Sequence, residues 1–176
     1  QMMQVSNVMF KALKSALSTL VLSMVFIFPA KATMHVTLGG ELLLIQSQLE
    51  GQHTISYEFS RCMANHLYTF SRVLVDTTMV NEATSDNIGP FLIDGAGWTG
   101  GNHLLAGGLP SAYTDSVRIC VDGRRITNDF SGEAQCVTVC VDNTLLNPSD
   151  SSQKFCTESV TYTICGNSIQ VSATHH

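Results

Sequence analysis

From position 33 onward apolar residues recur with a period of two, the spacing of a strand that buries one face. Val117, Ile119 and Val121 alternate with Arg118, Cys120 and Asp122, and Val137, Val139 and Val141 with Cys136, Thr138 and Cys140. In another segment His53, Ile55, Tyr57 and Phe59 take one side and Thr54, Ser56 and Glu58 the other. Residues 66–78 predict a longer strand. Here His66, Tyr68, Phe70 and Arg72 share one face while Leu67, Val73 and Val75 take the second, so both faces are partly apolar. Residues 34–46 favour strands interrupted at Gly39-Gly40. The run Leu42-Leu43-Leu44-Ile45 is too continuous to show a period, and strand and short helical turn both stay open there.

Turn residues punctuate these segments. Asp122-Gly123 predicts a two-residue type I′ hairpin, which needs φ > 0 at both central positions, and it brings Ile126 opposite Ile119. The run 147–153 (NPSDSSQ) reads as an exposed loop by composition. Gly166-Asn167 predicts a last hairpin that pairs Ile164 with Ile169, Tyr162 with Val171 and Val160 with Ala173. The same register pairs Thr163 with Gln170, Thr161 with Ser172 and Glu158 with His175. It sorts Val160, Tyr162, Ile164, Ile169, Val171 and Ala173 onto one core face. No amphipathic helical pattern occurs after residue 33. The fold class expected is all-β: an antiparallel β-sandwich, jelly-roll-like or similar, over residues 33–176.

One stretch breaks the alternation. Residues 84–110 hold seven of the 13 glycines and the single tryptophan, Trp98. They also hold the short polar residues Ser85, Asp86, Asn87, Asp94, Asn102 and His103. Glycine allows φ > 0 and close backbone approach, so the stretch reads as a shaped loop. Structureless loops of this length are uncommon unless functional or disordered. The embedded Ile88, Phe91, Leu92, Ile93 and Trp98 argue against disorder.

Composition changes the picture first at the N-terminus. Lys11 and Lys14 precede an uncharged apolar run over residues 16–28, followed by Pro29 and the small-x-small site Ala30-Lys31-Ala32. That is the layout of a secretory signal peptide, expected over residues 1–32. The run is too short for a membrane span, which takes ~20 residues, so no stable span is expected once the signal is removed. The chain opens on Gln1 and stops at His175-His176 with strand alternation still running, which reads as a piece of a longer protein. All 14 acids follow residue 32, while Lys11, Lys14 and Lys31 precede Thr33; residues 33–176 therefore carry a net charge of −8. That opposes nucleic acid, whose phosphates demand clustered Lys and Arg. It suits a secreted, periplasmic or cell-surface protein.

Six cysteines in an exported chain invite a disulfide framework. Cys136 and Cys140 lie four apart on one predicted strand, roughly 13 Å along it, too far to pair with each other. The connectivity stays open, and buried cysteines used as core filler are an equal reading. No spacing fits a zinc site.

Within the glycine-rich stretch, Gly100-Gly101-Asn102-His103 sets an amide and an imidazole beside glycines that let a ligand approach the backbone. Trp98 is suited to stack on a sugar ring while Asn102, His103, Asp86, Asn87 and Asp94 bond its hydroxyls. The structural alternative is that Trp98 anchors the loop and Asn102 caps a turn. Lyase or hydrolase chemistry needs a positioned acid and base, for which His103 as base and Tyr113 as acid are the candidates. Asp86, Asn87 and Asp94 with glycine carbonyls are hard oxygen ligands that could hold calcium, although their order does not match the twelve-residue calcium loop. No other cofactor is expected. Ser-His-Asp catalysis has no G-x-S-x-G elbow to support it.

Along S-D-N-I-G-P…G-W-T-G-G-N-H, residues 85–103, and the following V-D-G-R hairpin, the chain resembles secreted β-rich bacterial proteins associated with polysaccharide use. The resemblance implies an exported, glycan-related context and a glycan or polysaccharide as partner; it implies nothing about mechanism. Three functions follow as expectations: a polysaccharide-binding module, a lyase or hydrolase fragment, or a structural module of an envelope or fibre. The export reading has a direct check. N-terminal sequencing of the secreted protein is expected to begin at Thr33, and a mature product that keeps the apolar run contradicts it.

Overall fold

The computed structural model describes residues 33–62, 64–81 and 90–176, with Phe70 by its backbone alone. The signal-peptide segment lies outside them. One antiparallel sheet is built from β1 (Met34–Gly39), β2 (Leu42–Gln48), β3 (Thr54–Arg61), β4 (Tyr68–Val75) and β5 (Thr78–Met79) as a sequential meander. The chain then makes a small hairpin, β6 (Phe91–Ile93) with β7 (Gly97–Thr99). It continues through β8 (Ala112–Val121) and β9 (Arg124–Ile126), returns as β10 (Phe130–Ala134) to the edge beside β1, and ends as β11 (Cys136–Asn147), β12 (Asp150–Cys165) and β13 (Ser168–His175). The second large sheet runs β13-β12-β11-β8-β9 and is also antiparallel throughout. Among the described residues the helical structure amounts to two short 3-10 turns, at Glu50–Gln52 and Ala106–Gly108.

The alternating residues explain how the sheets meet. Met34, Val36, Leu38, Leu43, Ile45, Tyr57, Phe59 and Tyr68 from the first sheet share one buried cluster with Ile119, Val137, Val139, Val141, Val160, Tyr162 and Ile164 from the second. Phe59 and Tyr162 meet edge to face across it, ring centroids 5.2 Å apart. The run Leu42-Leu43-Leu44-Ile45, ambiguous by pattern, is strand β2 with Leu43 and Ile45 fully inward. A β-strand with two neighbours and one covered face needs no period in its own sequence.

The last hairpin has the expected register, from Ile164 opposite Ile169 to Glu158 opposite His175. The expected core face needs correcting at β13. Val160, Tyr162 and Ile164 are buried and Ile169 packs on the core, but Val171 is 38% exposed and Ala173 is exposed as well. β13 is an edge strand, and the opposing sheet covers only its Ile169 end. The Asp122-Gly123 turn has φ of 48° and 79°, and Ile119 faces Ile126 as expected.

Two further segments differ from the pattern. The register of β3 against β4 shifts between Glu58 and Phe59, which pair with Arg72 and Phe70 and leave Ser71 as a bulge. The extra residue flips alternation, so Tyr68 and Val73, on opposite faces by sequence, both pack on the core. Residues 147–153 form the tip of the β11–β12 hairpin: Asn147 pairs with Asp150 around a turn at Pro148 and Ser149, and the exposed Ser151, Ser152 and Gln153 belong to β12 but stand opposite no residue of β11. Polar composition marks the turn and the irregular segment after it, and within 147–153 only the Asn147–Asp150 pair joins the two strands.

Cys136 and Cys165 face each other across β11 and β12 with Cα atoms 4.3 Å apart and form a disulfide; Cys62, Cys120, Cys140 and Cys156 are free thiols. Inward positions of the second sheet also carry a polar row across four strands. Thr114 Oγ1 donates to Asn143 Oδ1 (2.8 Å), Asn143 Nδ2 donates to Glu158 Oε2 (2.9 Å), and Glu158 Oε1 meets His175 Nε2 (3.1 Å). Asn143 and Glu158 are almost wholly buried, and the row satisfies both.

Tyr162 tests the shared core. Its ring is buried and its hydroxyl meets Thr69 Oγ1 of the other sheet at 3.1 Å. Tyr162→Ala is expected to lower unfolding free energy by about 3–5 kcal/mol, and Tyr162→Phe by about 1 kcal/mol. Denaturant unfolding at unchanged m-value measures both, and an alanine variant as stable as the parent contradicts the packing.

Candidate functional site

The glycine-rich stretch reaches its described form in two steps. Asp94, Gly95 and Ala96 turn the hairpin β6–β7, with Ala96 N–H donating to Ile93 O (3.0 Å). Leu92 and Trp98 face each other across that hairpin, 64% and 44% exposed, which is unusual for such apolar residues on so short a ribbon. Gly100 and Gly101 then take φ of 80° and 51°, and His103 N–H closes the turn on Gly100 O at 3.1 Å. A side chain at either glycine would strain that backbone. The turn lays the His103 ring on the Trp98 ring, with centroids 4.8 Å apart and planes 15° from parallel.

What holds this turn comes from elsewhere in the chain. Asn65, in the connection from β3 to β4, donates from Nδ2 to Gly101 O (2.7 Å) and His103 O (2.9 Å). Its Oδ1 accepts from Ser111 N–H at 2.8 Å. Ser111 Oγ accepts from Gly100 N–H (2.9 Å) and donates to His103 O. Thr99 Oγ1 lies within hydrogen-bonding distance of Ser111 O (2.9 Å) and Leu146 O (2.7 Å), and Leu146 N–H donates to Ser111 O. Asn65, Thr99 and Ser111 are all buried. Beneath them Cys62, Leu67, Ala112 and Leu145 form a second small apolar cluster, against which Phe91 packs. The His175 ring meets Phe91 edge-on at 4.8 Å, tying the end of β13 to the hairpin.

Of the residues picked out by sequence, the structure brings Trp98, Asn102 and His103 into one turn. Asp94 sits in the β6–β7 turn, just past the Ile93–Gly97 rung, and is exposed. Tyr113 stands on β8 opposite Thr144, 48% exposed. Asp86 and Asn87 lie outside the described residues, so of the calcium set only Asp94 is described. Among the described residues no group of three or more His, Cys, Asp or Glu side chains is arranged to hold a metal ion.

Asn65, Thr99 and Ser111 were missed. A lone asparagine in a connection is an ordinary turn residue, and nothing local marks one whose amide is used 36 to 46 positions away. No protein-family model, curated protein or solved structure matches the chain. The site is therefore read from its own geometry.

Asn65→Ala leaves the carbonyls of Gly101 and His103 and the amide of Ser111 with fewer partners in a buried place. It is expected to cost about 2–4 kcal/mol and to release the turn. Trp98 is the only tryptophan, so its fluorescence reads this directly. Emission is expected to shift as the His103 stack is lost, and an unshifted spectrum contradicts the lock.

Proposed function

We propose that the chain is an exported β-sandwich module that binds an extracellular polysaccharide through residues 84–110. The observation that carries this is the Trp98 ring, 44% exposed and backed by His103 at 4.8 Å in near-parallel planes. One face is covered, so the remaining face and edge are presented in a fixed orientation. A flat, immobile aromatic face loses little entropy when a sugar ring stacks on it. Asn102 lies in the same turn with its Oδ1 buried, so the Trp98 face rather than this amide oxygen carries the reading. Leu92 extends the apolar surface across the hairpin.

Two further observations support the setting. A disulfide persists in oxidising compartments, and Cys136–Cys165 fits export. The net charge of −8 over residues 33–176 fits a neutral glycan better than an anionic one. The competing enzymatic reading needs one sugar to reach both His103 and Tyr113, and Tyr113 belongs to β8 rather than to the Trp98 turn.

The experiment is a glycan array probed with the exported chain, followed by Trp98→Ala on each hit. The variant is expected to bind at least about tenfold more weakly while keeping stability within about 1 kcal/mol of the parent. A variant that binds equally well, or one that loses mainly stability, makes Trp98 a structural anchor and removes the proposal. Turnover of any bound glycan would instead favour the lyase or hydrolase.

A further inference from the structure

A sheet edge exposes a row of unpaired backbone N–H and C=O groups, and native proteins blunt such edges by shortness, charge, proline or bulges. Three of the four edges of the large sheets are blunted in this way. β5 is two residues long, β9 is three and carries Arg124 and Arg125, and β10 is five and carries Glu133. The fourth edge, β13, is not. It runs for eight residues without a proline and pairs with β12 without a register shift. Residues 159–174, most of the β12–β13 hairpin, hold no Asp, Glu, Lys or Arg.

The hydrogen-bond phase fixes which backbone groups face outward. Thr157 N–H donates to His176 O (2.8 Å) and His176 N–H to Thr157 O (2.9 Å), a fully bonded pair. Bonded and non-bonded pairs alternate along an antiparallel ladder. With the register unbroken, Ser168, Gln170, Ser172 and Thr174 turn their backbone groups to β12, while Ile169, Val171 and Ala173 turn theirs away from the sheet. The side chains of those three lie on the core side, opposite Ile164, Tyr162 and Val160. Beyond Ile169 nothing among the described residues covers them: Val171 is 38% exposed and Ala173 is exposed. Outward backbone groups and uncovered apolar side chains thus fall on the same residues.

We infer that β13 pairs antiparallel with β13 of a second copy of this chain, about a twofold axis at Val171. An antiparallel ladder sets outward-bonding residues opposite one another, and this centre sorts both faces as well. Val171 faces its own counterpart and Ile169 faces Ala173 across the axis, for about six backbone hydrogen bonds. On the other face Gln170 meets Ser172 and Ser168 meets Thr174, polar against polar. Charge selects the occupant. Two copies that each carry −8 over residues 33–176 repel, and this hairpin lets them meet with no carboxylate opposed to another. A contact of one patch with itself closes at two copies. The pairing rests on β13 alone and is independent of the glycan reading.

The test is sedimentation velocity on the intact chain from about 10 µM to about 1 mM, with residue-resolved amide exchange at both ends of the range. One strand per copy makes a small interface of the transient class, so a dimer with Kd on the order of 100 µM is expected. At the highest concentration, exchange is expected to slow about fivefold at Ile169, Val171 and Ala173, and to stay unchanged at Gln170, Ser172 and Thr174, which are already bonded to β12. Val171→Lys sets two ammonium groups face to face at the axis. Val171→Pro removes an N–H that β12 does not use. Each is expected to weaken the dimer at least about tenfold while keeping the circular dichroism of the parent. Gln153→Lys, which makes the same charge change outside the β12–β13 ladder, is expected to dimerise as the parent does. A chain that stays monomeric to about 1 mM overturns the inference, whether or not the edge takes up an unrelated strand peptide. A dimer that both Val171 variants leave intact, protection without the alternation, or assembly that grows beyond two copies overturns it as well.

Discussion

Each large sheet has one apolar face, and the other sheet is what keeps water from it. Burying those faces is the main favourable term available to a chain with no α-helix among its described residues. The core is therefore shared, and three hydrogen bonds cross it. Tyr57 Oη donates to Asn167 O (3.1 Å), Tyr68 N–H to Thr114 Oγ1, and Tyr162 Oη meets Thr69 Oγ1. Burial raises the Tyr162 phenol to about 12, which keeps it neutral where a charge would be expensive. These cross-links fix how the sheets sit relative to each other, and so fix everything placed at their edges.

Where the apolar residues stop, the interior is handled in two ways. Along Thr114, Asn143, Glu158 and His175 the inward positions turn polar, and each side chain finds its neighbour in the next strand. Toward the β9 edge the walls do not close, and the Tyr68 hydroxyl is left buried without a hydrogen-bond partner among the described residues. The first solution is complete in itself. The second is not, since one buried hydroxyl stays unmatched.

A single connection positions both Asn65 and Tyr68. Between β3 and β4, Cys62 N–H donates to Leu67 O (2.8 Å) and Arg61 Nη1 to His66 O (2.9 Å), with His66 at φ 56°. This tight path aims Asn65 into the Trp98 turn and delivers Tyr68 to the core. The Arg61 that braces the connection also pairs with Glu41. The glycine-rich turn thus depends on a segment whose own sequence is unremarked.

Strands and local hairpins could be read from sequence because their signals are local. The Asp122-Gly123 turn and the register from Glu158–His175 to Ile164–Ile169 follow from residues a few positions apart that must sort onto one face. Trp98, Asn102 and His103 were recognisable as a group for the same reason. Only the tertiary structure decided the rest. The Ser71 bulge moved Tyr68 and Val73 to one face because β4 had to match β3 and the opposing sheet together. Val171 stayed exposed because β13 ended at an edge, and Asp150 joined the ladder because Asn147 lay opposite it. The Asn65 lock arises between segments far apart in sequence, whose meeting depends on how both sheets pack. Periodicity constrains which face a residue takes; it carries no information about which distant backbone will lie opposite.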